Sequence, residues 1–79
     1  MAREDFRAAF GRRIRELRDR LDLSQEELAE RAGLHRNYIG GIERGERNVA
    51  ILNVVKLAAS LEVSIAELFS PFNRRPNRR

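Results

Sequence analysis

At 79 residues the chain holds one domain, large enough for a modest core and too small for a separate catalytic or effector unit. The absence of cysteine and the single histidine, His35, exclude a disulfide framework and a self-contained zinc site, so no metal or other cofactor is expected. Sixteen basic residues against 12 acidic ones give a formal charge of +4, but Arg74, Arg75, Arg78 and Arg79 supply the whole excess, so net charge does not by itself identify a nucleic-acid partner.

The start of the chain is charged, and no apolar run approaches the ~18 residues of a membrane span, so a soluble cytoplasmic protein with no membrane partner is expected. All basic residues but Lys56 are arginine, a bias that suits phosphates and guanine edges or simply reflects genome composition. From Phe6 the apolar residues Phe6, Phe10, Ile14, Leu17 and Leu21 recur at intervals of three and four, which predicts a first helix with one buried face. Arg12, Arg15, Arg18 and Arg20 stand four residues from carboxylates, as in Arg15 with Asp19 and Glu16 with Arg20, and read mostly as a solvated face.

Ser24 with Glu27 is a capping box that opens a second helix through Leu28, Ala29 and Ala32, and Gly33 suits the left-handed cap at its end. A third helix is predicted from His35 or Arg36 to about Glu43, closed by Gly45. Ile51 to Leu61 reads as a fourth helix whose main apolar face carries Ile51, Val54, Val55, Ala58 and Leu61, with Leu52 and Ala59 off that face. A second capping box, Ser64 with Glu67, opens a short fifth helix that Pro71 stops. Residues 1–72 thus form one all-α domain of five helices, and residues 73–79 a basic, disordered tail.

The second and third helices carry a motif. Counting Gln25 as its first position, small Ala29 is the fifth, Gly33 the ninth, and apolar Ile39 and Ile42 the fifteenth and eighteenth. Two helices crossing steeply need a small residue at the crossing, a chain reversal between them and apolar anchors on the second, which is the requirement of a helix-turn-helix. An all-helical bundle with no DNA role is the plain alternative. Nothing pairs a nucleophile with a base or cradles a phosphate, so no enzyme is expected.

With these residues, and with Leu17, Glu43, Gly45, Lys56, Leu57, Ala58, Leu61, Val63 and Leu68, the chain resembles the lambda-repressor-like family of helix-turn-helix regulators, also called the Cro/C1 or XRE type. The stretch from Arg36 to Asn48 looks particularly like the controller proteins of restriction-modification systems; phage repressors and antitoxins share much of the pattern. The resemblance implies a lambda-repressor-like fold and a regulator of transcription that binds double-stranded DNA, with RNA polymerase a further candidate partner. It places Arg36 and Asn37 at base edges in the major groove, where arginine can bridge guanine O6 and N7 and asparagine can bridge adenine N6 and N7. It also places Arg47 and Asn48 in a loop beside the DNA backbone, Arg47 as a third base contact and Asn48 as a backbone contact.

Gln25, at the start of the second helix, can meet a phosphate, and Tyr38 and Arg44 are further backbone candidates. Tyr38 has the alternative of a partly buried ring, and Arg44 that of balancing Glu43 or Glu46. The resemblance further implies a salt bridge between Arg18 and Glu43. Gly40 and Gly41, in the middle of the recognition helix, either let it approach DNA closely or serve tight packing. His35 and Ala50 stand where capping residues usually do, and weaken both caps. Leu52, Ala59, Phe69 and Phe72 exceed what one core needs; they predict a twofold homodimer reading a pseudo-palindrome, or else they close the core against the first helix. A protein-interaction module is the rival function from a different class.

Overall fold

Five helices follow one another among the residues described, 5–72, of the computed structural model: α1 (Phe6–Arg20), α2 (Gln25–Ala32), α3 (Arg36–Glu43), α4 (Ile51–Ser60) and α5 (Ile65–Leu68). A single 3-10 turn, Ser70–Phe72, ends the described chain, so the basic segment 73–79 lies outside it. Helices α1 and α2 both pack against α3, and α4 packs against α2. Ile14, Leu17, Leu28, Ile39, Ile42, Leu57 and Leu68 are the large side chains shut off from solvent, and they draw one residue or more from every helix into a single core.

The helix ends follow local chemistry. Ser24 Oγ accepts from the Glu27 N–H at 3.0 Å while Glu27 Oε1 accepts from the Ser24 N–H at 2.8 Å, completing the capping box. These bonds hold the Glu27 carboxyl below its ordinary range, because they favour the charged form. At Ser64 only the hydroxyl half of the predicted second box forms, with the Glu67 N–H as donor at 2.9 Å. His35 and Ala50 make no side-chain cap.

Gly33 and Gly45 stop α2 and α3 with positive φ, and in each case the next amide reaches back five residues, Leu34 to Ala29 and Glu46 to Gly41. Asp22 and Glu62 do the same after α1 and α4, through Leu23 to Arg18 and Val63 to Ala58, although neither is glycine. An L residue held left-handed costs roughly 1 kcal/mol. Asp22→Gly and Glu62→Gly are therefore each expected to raise the unfolding midpoint, and a lowered midpoint in thermal denaturation would show that their side chains outweigh the strain.

One expectation about a buried face needs correction. The core side of α4 consists of Val54, Leu57, Ala58 and Leu61, whereas Ile51 and Val55, read above as core, are 77% and 48% exposed. Ile51, Leu52, Val55 and Ala59 instead share the outer face of α4, within one 100° arc of the helix. On α1, Arg13, to which the sequence reading gave no role, is 6% exposed: it runs past the core and donates from Nε to the Leu68 carbonyl at 3.0 Å and from Nη2 to the Glu67 carbonyl. It thereby closes the open carbonyl end of α5.

Candidate nucleic-acid interface

The recognition helix α3 is held from behind by three means. Ile39 and Ile42 are fully buried, and Ala29 at the crossing with α2 is 3% exposed, so the small residue and the two anchors stand where a steep crossing needs them. Gly11 of α1 lies directly under the end of α3, where an added Cβ would overlap the Ile42 carbonyl oxygen and come 2.8 Å from that of Glu43. Glu43, the last residue of α3, receives two parallel bonds from Arg18 of α1: Nε to Oε2 at 2.7 Å and Nη2 to Oε1 at 3.0 Å.

The Arg18–Glu43 pair is enclosed, with side-chain exposures of 12% and 6%. Arg18 Nη1 also donates to the Leu23 carbonyl at 2.8 Å, so one guanidinium ties α1 to the turn before α2 and to α3. The bonds to Glu43 raise the pKa of Arg18 above its ordinary value against the opposing effect of burial. Gln25, read above as a phosphate contact, donates from Nε2 to Glu43 Oε1 at 3.1 Å. Its side chain is thus joined to the α1–α3 link.

On the outer side, Arg36 and Asn37 are both exposed on the first turn of α3. A shallow concavity brings Asn37 together with Tyr38, Arg47 and Asn53. Tyr38 is half buried against the core, accepts at its hydroxyl from Asn53 Nδ2 at 3.2 Å, and carries the guanidinium carbon of Arg47 5.5 Å from its ring centre. Asn48 is exposed beside Arg47. Arg44 forms an exposed pair with Glu46, Nε to Oε2 at 3.0 Å, which raises the arginine pKa and lowers that of the carboxyl. The structure therefore gathers Asn37, Tyr38 and Arg47 in one hollow, leaves Arg36 outside it on the same first turn of α3, and turns Arg44 toward its own acidic partner.

Phe69 and Phe72, read above as dimer contacts, are half-buried and pack against the core. Phe69 stacks on Phe10 with ring centres 5.6 Å apart, and Phe72 meets Phe6 edge-on at 4.9 Å. These rings close the core against α1, because residues 70–72 turn back toward its start. Leu52 and Ala59 stay exposed on α4. Arg13, Gly11 and Asn53 were missed from the sequence; Arg13 alone left a signal there, since it stands on the same helical face as Phe10, Ile14 and Leu17. Among the described residues no group of His, Cys, Asp and Glu is placed to hold a metal, and no helix is long and apolar enough to cross a membrane.

Comparison with known proteins agrees with this geometry. Residues 14–68 match the helix-turn-helix family HTH_3. The chain is 39% identical over 71 residues to Control protein C.MunI of Mycoplasma sp, covering 89% of this chain and 96% of that protein. It is 42% identical over 66 residues to Control protein C.SmaI of Serratia marcescens, covering 84% and 79%. Among solved structures, the restriction-modification controller protein C.AhdI from Aeromonas hydrophila superposes with a TM-score of 0.80 at 50% identity, over 84% of this chain and all of that one. The chain belongs to the XRE-type helix-turn-helix family and is a DNA-binding transcription regulator.

Proposed function

We propose that the chain is a controller of the restriction-modification type that binds a pseudo-palindromic operator as a homodimer. The observation that carries this reading is the exposure of Arg36 and Asn37 on the first turn of a helix anchored from behind, with Arg47 in the adjoining hollow. Arg36 bridges a guanine, Asn37 an adenine, and Arg47 a second guanine, while Gln25 at the start of α2, Tyr38, Arg44 and Asn48 meet the phosphates. The kinship with control proteins favours this role over that of a phage repressor or an antitoxin.

The outer face of α4 supports the dimer. Ile51 and Leu52 are 77% and 70% exposed, a concentration of apolar surface that a second copy would cover together with Val55 and Ala59. Phe69 and Phe72 are left to the core. A twofold pairing would set two copies of α3 about 34 Å apart, one turn of DNA. Residues 1–72 are the domain for both tasks, and the basic segment 73–79 adds attraction to phosphates without regard to sequence. The reading places the protein in the cytoplasm with its DNA and requires no cofactor. Contact with RNA polymerase enters only if the bound dimer raises transcription.

Selection of bound sequences from a random double-stranded DNA pool tests the proposal. Two inverted half-sites with centres about ten base pairs apart, each holding guanine and adenine, are expected. Enrichment of a single half-site would remove the dimer, and failure to enrich any sequence would remove the operator altogether and favour a module that binds protein.

A further inference from the structure

The two glycines of α3 are occupied from outside. A Cβ on Gly41 would stand 3.0 Å from Arg47 Nε and 3.1 Å from its Cγ, and a Cβ on Gly40 would stand 3.1 Å from Arg44 Nη1. Both glycines are accordingly buried, although neither lies in the apolar core. The stem of Arg47 thus lies along the bare backbone at Gly41, and its charged end rests over Tyr38, whose hydroxyl is held by Asn53 of α4.

We propose that Gly41 is a positioning residue that, with Tyr38, forms a seat for Arg47 and sets the direction in which Arg47 reaches a guanine edge. The inference rests on the reading above that Arg47 touches a base. An arginine in a loop loses side-chain freedom when it is fixed on DNA, and a seat already formed in the free protein removes part of that cost. Contact through the cation's π face leaves its N–H edge for an acceptor. Gly41 itself reads no base. It contributes by absence, because any side chain there would take the space that Arg47 occupies.

The test uses four full-length proteins: the parent, Gly41→Ala, Arg47→Ala and the double variant. Each is titrated with the parent's selected operator and with operators altered at single base pairs, and thermal unfolding is followed in parallel. Arg47→Ala is expected to lose roughly ten- to hundred-fold discrimination at one base pair per half-site, the loss of one bidentate contact. Gly41→Ala is expected to lose most of that discrimination at the same base pair while unfolding at a higher temperature, because alanine favours the helix. The double variant should bind as Arg47→Ala alone does.

Retention of the parent's discrimination by Gly41→Ala would overturn the seat. An equal weakening by Gly41→Ala whether or not Arg47 is present would also overturn it, and would show instead that the Cβ meets DNA. If Arg47→Ala changes no base preference while the parent still selects an operator, the contact itself is wrong and the seat falls with it. A parent that selects no operator removes the underlying function, a result distinct from all of these.

Discussion

Arg18→Ala is expected to destabilise the domain by about 3–5 kcal/mol, the usual loss when one member of an enclosed ion pair is removed. Glu43 would remain with a side chain 6% exposed and with Gln25 Nε2 as its remaining side-chain donor. The Leu23 carbonyl would lose its bond to Arg18 as well. Domains of this length are stable by only roughly 0.05–0.15 kcal/mol per residue, so the loss would remove a large part of the total. Urea denaturation followed by circular dichroism measures the loss.

Two controls separate a buried charge from mere loss of contact. Arg18→Met with Glu43→Leu leaves no charge enclosed at this link, and the double variant is expected to recover most of the stability that Arg18→Ala loses. Arg44→Ala, which breaks the exposed pair with Glu46, should leave the midpoint nearly unchanged. A loss at Arg18 no larger than that at Arg44 would mean that the α1–α3 link is an ordinary surface pair. Operator affinity should fall with stability at Arg18, because Glu43 fixes the end of the helix that carries Arg36 and Asn37.

What the sequence displayed and what it hid divide by the range of the interaction. Ser24 with Glu27, Gly33 and Gly45 act on backbone groups within five residues, and each was legible as a helix boundary. Asp22 and Glu62 end helices in the same way yet bear no glycine, so the residue type that marks such an end is missing from the sequence. The face of α4 was misread because apolar periodicity marks every apolar stripe, and on this helix two stripes are adjacent, one toward Leu28 and Leu68 and one open to solvent. The arginine fork on Glu43 came only from family resemblance, since no local pattern links residues 25 positions apart. Within the site, the exposed starting turn of α3 followed from the motif. The hollow that joins Tyr38, Arg47 and Asn53 depends on how α4 meets the loop after α3, and spacing alone could not reveal it.

Gly11→Ala is expected to lower stability by about 2 kcal/mol or more, against the sign that helix propensity gives. Gly11 lies inside α1, where alanine is worth up to about 1 kcal/mol over glycine on propensity alone. At Gly41 that gain should appear, since the atom in the way is the flexible side chain of Arg47. At Gly11 the obstacles are the backbone carbonyls of Ile42 and Glu43, which cannot rotate aside without loosening α3. Helix α1 would have to separate from α3, which strains the Arg18–Glu43 fork and weakens the packing of Ile14 and Ile42. The same chemical change thus has opposite consequences at two helical glycines of one protein. Thermal unfolding of the two variants side by side decides the matter, and a Gly11→Ala protein that melts above the parent would show that α1 and α3 do not make the close backbone contact on which the placement of the recognition helix depends.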